Sequence, residues 1–374
     1  MLKVLLAGGG TAGHVNPALA IAEIIKEKHP DAKFLFAGTP FGLEATLIPK
    51  AGYDFVPIKV RGFQRKLNLE NIKKNITAAY YLLSAGKRSK EIIEEFKPDL
   101  VIGTGGYVSG PILIKAARMG IKTLIHEQNA FPGVTTKLLS KYVDKVLLTV
   151  AEAKKYMDKN AKLKSTVTGL PVRSGFNNIS KEKARKELGL DNEICILSTG
   201  GSLGAGRINE TVADLMAWYD GNLVVNHIHS YGGMGKDTFV ADVESKGVDL
   251  KNNKRLIVKE YIDNMPTCMA AADLVISRCG ANSLYELQSM GRGSILIPSP
   301  IVAGNHQYHN GMVLEKAGAA IVIEQKNLTS ELLIKTVKEL CENPDKLNAL
   351  SKNAKKLAIS NTNDRIYKII SKLI

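Results

Sequence analysis

At 374 residues, 45% of them apolar, the chain is long enough for two ordinary domains, each with its own core. No run approaches the ~20 apolar residues of a membrane span, and Met1-Leu2-Lys3-Val4-Leu5-Leu6-Ala7 lacks the basic start and long apolar middle of a signal peptide, so neither a spanning nor a secreted protein is expected. The formal charge of +15 is uneven: residues 1–165 hold 26 Lys/Arg against 14 Asp/Glu, residues 166–374 hold 25 against 22, and the first half is therefore aimed at something anionic, nucleic acid or an acidic membrane surface.

Six β-rich apolar runs fall in the first half (2–7, 33–38, 99–103, 121–126, 144–149, 165–168) and six in the second (194–199, 222–229, 255–259, 273–277, 294–298, 319–323). Near-continuous apolar runs separated by about 10–20 residues of helical pattern predict parallel strands covered by helices on both faces. The fold class expected is α/β, with two Rossmann-like doubly wound domains, 1–168 and 172–358, joined near Thr168-Gly169-Leu170-Pro171. Ligands bind beyond the carboxyl ends of such strands, and two domains facing each other would place a substrate cleft between them. Cys195, Cys268, Cys279 and Cys341 share no metal-ligand or redox spacing, so an intracellular chain without disulfides or a metal centre is expected.

In chain order, the first chemical segment is Gly8-Gly9-Gly10-Thr11-Ala12-Gly13-His14. Asn16-Pro17 follows, and reads as an N-cap and a first helical residue. The glycines would then lie just ahead of a helix N-terminus, where unpaired N–H groups favour phosphate, with His14 at the lip. Gly103-Thr104-Gly105-Gly106-Tyr107 ends a second strand. His126-Glu127-Gln128-Asn129 ends a third, and marks either a bound polar ligand or a buried polar network between strands. Gly200-Gly201-Ser202-Leu203-Gly204 ends the first strand of the second half. Three phosphate-friendly turns suit two pyrophosphates. Ser283-x-x-Glu286 fits a capping box, and equally a carboxylate placed to accept both hydroxyls of a ribose. Gly304-Asn305-His306-Gln307 is a polar loop after a strand.

In this order the glycine–histidine loop, Gly105–Pro111 (GGYVSGP), 126–129 (HEQN), Pro171–Arg173 (PVR), Gly200–Ala205 (GGSLGA), Ala281–Glu286 and 305–307 (NHQ) resemble the MurG family of N-acetylglucosaminyltransferases across essentially the whole chain. The resemblance implies a GT-B fold whose last helix, about 360–374, returns to the first domain. It implies an inverting hexosyltransferase of peptidoglycan synthesis, peripheral on the cytoplasmic face of the cell membrane, that moves GlcNAc from UDP-GlcNAc to the 4-hydroxyl of MurNAc in lipid I. Carried over by position, Ile262 would read uracil through its backbone and Glu286, with Ala281 and Ser283 beside it, would hold the ribose. Ser202 and Arg173 would hold the donor diphosphate, Asn129 and Gln307 the sugar, and Thr11, Ala12 and Gly13 its reactive end. Gly10, Gly105, Gly106 and Tyr107 would meet the acceptor diphosphate. Ala12, Leu170, Leu203 and Arg292-Gly293 depart from the residues usual in the family.

The incoming hydroxyl needs a base, and His14 is the first candidate because imidazole titrates near neutrality, with His126 and Glu127 in reserve. No Asp-x-Asp occurs, so neither an obligatory metal nor another cofactor is expected. A diacylglycerol glycosyltransferase, a UDP-GlcNAc 2-epimerase and a non-catalytic UDP-sugar-binding scaffold remain as alternatives. Within 61–90, Ile72, Ile76, Tyr80 and Leu83 share one helical face inside a basic frame that includes Lys73, Lys74, Lys87 and Arg88. That stripe packs on the sheet or lies on an anionic membrane surface. Nucleic acid is not expected, since no aromatic–basic interleaving supports it.

Overall fold

The computed structural model describes residues 1–62, 69–171, 179–201 and 203–374, without the side chains of 69–80, 82, 83 and 303. Contacts divide the chain into two units, Met1–Arg173 with Ile359–Ile374, and Ser174–Ala358.

The first unit is built on β1 (Lys3–Gly8), β2 (Lys33–Gly38), β3 (Asp54–Pro57), β4 (Leu100–Gly105), β5 (Lys122–Glu127), β6 (Lys145–Leu148) and β7 (Ser165–Val167). They lie in the order β3-β2-β1-β4-β5-β6-β7, every pair parallel. Alternate residues serve opposite faces, as the pleat requires. Leu5, Val101, Ile125 and Val146 pack with Ile92, Ile93, Ile112 and Leu113 on one side. Val4, Leu6, Ile102 and Leu124 pack with Val15, Leu19 and Ile25 on the other. The expected runs did not include β3, a four-residue edge strand whose apolar stretch is cut short by Asp54 and Pro57. The helix Thr362–Ile370 completes the second face: Ile366 and Ile370 are fully buried there, and Tyr367 Oη meets His29 Nε2 at 3.0 Å.

The second unit repeats the plan with β8 (Cys195–Thr199), β9 (Asn226–Ser230), β10 (Leu256–Lys259), β11 (Leu274–Ser277), β12 (Gly293–Leu296) and β13 (Ala320–Val322), all parallel, in the order β10-β9-β8-β11-β12-β13. Ile196, Leu274, Ile276 and Ile295 fill one side of this sheet, and Cys195, Leu197, Val275 and Leu296 the other. The run expected over 222–229 becomes a strand only from Asn226, where four of the five buried residues, Asn226, His227, His229 and Ser230, are polar and Ile228 alone is aliphatic.

Candidate active site

Each sheet reverses its winding once, between β1 and β4 in the first unit and between β8 and β11 in the second. Crevices open at such switch points beyond the strand ends. The glycine runs 8–14 and 103–107 follow β1 and β4, and the runs 200–204 and 278–286 follow β8 and β11.

At the first switch point the helix begins earlier than its sequence suggests. It spans Ala12–Lys28, with Thr11 as an uncapped N-cap residue, and Pro17 lies inside it. The expected start at Asn16-Pro17 is therefore corrected. Pro17, sixth in the helix, has no N–H to give the Gly13 carbonyl, and Gly13 and His14 sit on the first turn itself. The first-turn N–H groups of Ala12 and Gly13 have no intrahelical partner by helix geometry.

His14 is partly exposed, and its Nδ1 lies 3.0 Å from the Gly9 carbonyl and 3.3 Å from Thr11 Oγ1. A carbonyl only accepts, so Nδ1 carries the proton and Nε2 presents a lone pair. Thr104 Oγ1 donates to the His14 carbonyl at 2.7 Å, tying the helix start to β4. Two loop amides already have partners: Gly10 N–H donates to Glu44 Oε2 at 2.9 Å, and Gly105 N–H to Ser109 Oγ at 3.2 Å. The sequence reading gives both glycines to an acceptor diphosphate, and the structure spends both amides on the protein's own side chains instead. Gly106 rests against the Gly9 backbone, while Tyr107 is 60% exposed and its ring covers Gly62.

The segment 126–129 divides in two. His126 is 1% exposed; its Nε2 donates to the Gly169 carbonyl at 3.0 Å and its Nδ1 accepts from Gln128 Nε2 at 3.1 Å. Burial pushes this imidazole down to about 4, against the opposing pull of the Gly169 bond and the Glu127 charge. Glu127 Oε1 accepts from the backbone N–H and Nδ2 of Asn129, and Oε2 from Gly133 N–H. With both groups committed inward, neither reserve base is available. His126, Glu127 and Gln128 form the buried polar network, and they fix the backbone that carries Asn129.

At the second switch point Gly204 N–H closes a turn on the Gly201 carbonyl at 2.8 Å. Gly204 has φ of 80° and packs so tightly on Tyr231 and Gly232 that any side chain there would collide with backbone. Beyond it the helix Gly206–Trp218 starts without a capping side chain. Leu203 is exposed, and Ser202 lies outside the described residues.

The helix Ala281–Met290 starts after Gly280, again uncapped, so the capping box does not form: Ser283 is its third residue and Glu286 its sixth. Glu286 makes no hydrogen bond or ion pair among the described residues, and burial alone raises its carboxyl to about 7. Gln307 Oε1 accepts from the Cys279 and Ser299 amides at 3.3 and 2.9 Å, which fixes the carboxamide and turns Nε2 away from them. Ile262 is buried in the core by its side chain, leaving its backbone at the strand-end loop.

Sequence reasoning missed Glu44, which belongs to no motif, and a buried line in the second unit. Tyr219 Oη meets His227 Nδ1 at 2.8 Å, His227 Nε2 meets Ser198 Oγ at 2.6 Å, and Ser198 Oγ meets His229 Nδ1 at 2.7 Å. Burial holds both imidazoles down, His229 to about 3. The period-2 pattern His227-x-His229 after a strand start was the available signal.

Arg173 and the side chains of Ile72, Lys73, Lys74, Ile76, Tyr80 and Leu83 lie outside the described residues. Within the helix Leu69–Phe96, Ala85, Ser89, Ile92 and Ile93 are buried, Lys87 is exposed, and Arg88 pairs with Glu91 at 3.1 Å. Among the described residues no helix is long and apolar enough to cross a membrane.

The glycosyltransferase family 28 N-terminal domain matches residues 4–148, and the corresponding C-terminal domain matches residues 195–366. A UDP-N-acetylglucosamine--N-acetylmuramyl-(pentapeptide) pyrophosphoryl-undecaprenol N-acetylglucosamine transferase of Acetivibrio thermocellus is 44% identical over 377 residues, covering 100% of this chain and 98% of that one. The protein of the same name from Thermoanaerobacter sp. is 44% identical over 373 residues, with 100% of both chains covered. Among solved structures, the crystal structure of Acinetobacter baumannii MurG matches with a TM-score of 0.78 at 27% identity, covering 100% of both chains.

Proposed function

The chain belongs to the MurG family of glycosyltransferases, and from that premise we propose how its residues carry the family's reaction. It transfers N-acetylglucosamine from UDP-GlcNAc to the MurNAc 4-hydroxyl of lipid I, giving lipid II for peptidoglycan synthesis. The first unit takes the acceptor and the second the donor. The 4-hydroxyl oxygen bonds to the anomeric carbon as the bond from that carbon to the diphosphate oxygen breaks, and the configuration inverts. His14 Nε2 receives the hydroxyl proton. The observation that carries this role is the Nδ1 bond to the Gly9 carbonyl, which leaves Nε2 as the basic nitrogen at the rim of the first switch point.

Charge accumulates on the departing UDP. The uncapped start of the helix Gly206–Trp218 stabilises it, and Ser202 and Arg173 take the same role by their positions in the family's motifs. Glu286 accepts the two ribose hydroxyls, flanked by Ala281 and Ser283; the Ile262 backbone reads the base; Gln307 and Asn129 contact the sugar. On the acceptor side the diphosphate meets the first-turn amides near Thr11, Ala12 and Gly13, together with Gly106 and Tyr107. Gly10 and Gly105 shape that loop rather than donate to it. Transfer assays with labelled UDP-GlcNAc test the reading: label should pass to lipid I and not to diacylglycerol, and the reverse result would overturn it.

Docking on the cytoplasmic face of the cell membrane, as a peripheral protein, is part of this proposal. The charge excess of residues 1–165 supports it, as do exposed Phe41, Leu43 and Tyr107, and Arg61, which lies over the rings of Phe41 and Tyr81 at 5.8 and 5.7 Å. Sedimentation with vesicles should rise with anionic lipid and fall with salt. Reversing Lys73, Lys74, Lys87 and Arg88 to Glu should abolish it in a folded protein, and unchanged sedimentation would move the docking surface elsewhere.

A further inference from the structure

Glu44 is fully buried at the start of the helix Glu44–Lys50, yet it makes no ion pair with Lys or Arg among the described residues. Its Oε1 accepts from Thr39 N–H at 2.9 Å and Thr39 Oγ1 at 2.6 Å, and its Oε2 from Gly10 N–H at 2.9 Å. Burial works against its charge, but the bonds from Thr39 and Gly10 prevail and hold the carboxyl below its ordinary value. Burying a carboxylate is costly, so a group retained there charged and bonded at both oxygens calls for an explanation.

The partner supplies one. Gly10 N–H and the Gly9 carbonyl belong to the same planar peptide group. One end of that group donates to Glu44, and the other accepts the His14 Nδ1 proton at 3.0 Å. A side chain at Gly9 would collide with the Glu44 carboxylate, and one at Gly106 would collide with the Gly9 carbonyl, so the peptide is clamped from both sides. An N–H that donates to a carboxylate also leaves its carbonyl a stronger acceptor, because hydrogen bonds in series polarise one another.

We propose that Glu44 is a positioning residue for His14, acting through the Gly9–Gly10 peptide: it fixes the peptide plane, the plane fixes the imidazole with its proton on Nδ1, and Nε2 is kept bare toward the acceptor hydroxyl. The arrangement does the work of a carboxylate bonded directly to a catalytic imidazole, with a peptide interposed. This inference rests on the reading of His14 as the base.

The test is a double-mutant cycle on the full chain with E44Q, H14A and E44Q/H14A, measuring transfer from UDP-GlcNAc to lipid I. Partners that orient a metal-bound imidazole change activity by about 10- to 100-fold, and by analogy E44Q should lower kcat in that range with the donor KM within about twofold of the parent. In the H14A background E44Q should cost nothing further. Imidazole 15N spectra should show His14 with its proton on Nδ1 in the parent and a mixture of both neutral tautomers in E44Q. If E44Q lowers kcat by the same factor with and without His14, or leaves the tautomer unchanged, Glu44 is only a loop clasp and the proposal fails. Near-parental turnover of H14A would instead remove the base reading, while the tautomer measurement still decides whether Glu44 governs the ring. Should E44Q not fold, T39V removes one bond to the carboxylate and should move kcat and tautomer in the same direction by a smaller factor; no movement in either would overturn the proposal.

Discussion

The two switch points share a topology and differ in how their polar groups are used. At β1/β4 the backbone around His14 is held from within: Glu44, Ser109 and Thr104 bond it, and the result is a group aimed before any ligand arrives, although the first-turn amides of the helix Ala12–Lys28 stay open. At β8/β11 a buried carboxyl is left open: Glu286 has no partner among the described residues, at a switch point whose helices start without caps as those of the first unit do. Unmet polar groups mark the place that receives a ligand, whereas satisfied ones mark a place where a reacting group is held still.

The largest effect should come from the side held from within. His14→Ala should lower kcat by about 100- to 10,000-fold with little change in the donor KM, as steady-state assays would show. A large rise in donor KM with normal turnover would erase the division of labour between the units. On the open side, Glu286→Ala should weaken donor binding by roughly 1.5–3 kcal/mol in titration calorimetry and leave the melting temperature nearly unchanged. A loss of melting temperature with intact affinity would make Glu286 a structural residue.

A smaller effect follows from the same carboxyl. Ribose hydroxyls donate to its ionised form, and its value of about 7 means that lowering the pH protonates it. Donor Kd should therefore rise about tenfold per unit below pH 7 and be flat above pH 8, and Glu286→Gln should remove the slope. A separate effect is on stability. His126 and His229 stay neutral down to about 4 and 3, whereas the unfolded chain takes up these protons near 6.5. Their contribution is complete above pH 6.5 and is lost as pH falls through that window, by at most about 1.4 kcal/mol per unit for each ring. Glu286 acts in the opposite sense, its contribution being largest below 4.5 and lost as pH rises through 7. Urea midpoints between pH 7 and 4 should drop, and drop faster in Glu286→Gln.

What the sequence made legible was set by period and punctuation. Twelve apolar runs and three glycine turns located the strands and both crevices because parallel strands are buried on both faces and must turn sharply at their ends. One local signal misled, and one of two readings of another did not hold. Asn16-Pro17 resembles a helix start, but the helix runs through Pro17 without that residue's N–H bond, and the true start lies at Ala12. Ser283 and Glu286 have capping-box spacing, but Gly280 already ends the loop. Within 126–129 chemistry alone did not distinguish ligand groups from scaffold, since the distinction lies in the direction each side chain takes. Glu44 was invisible for another reason: its partner Gly10 is 34 positions away, and the bond is to backbone, which carries no residue signature.

The helix Thr362–Ile370 buries Ile366 and Ile370 in the unit that begins at Met1. During translation, then, the unit that starts first is finished last. At about 5–20 residues per second the ribosome spends roughly 10–40 s making the second unit before that helix emerges. Through that interval the face holding Val15, Leu19 and Ile25 is uncovered, and a nascent chain stalled in the second unit would present it to chaperones and proteases.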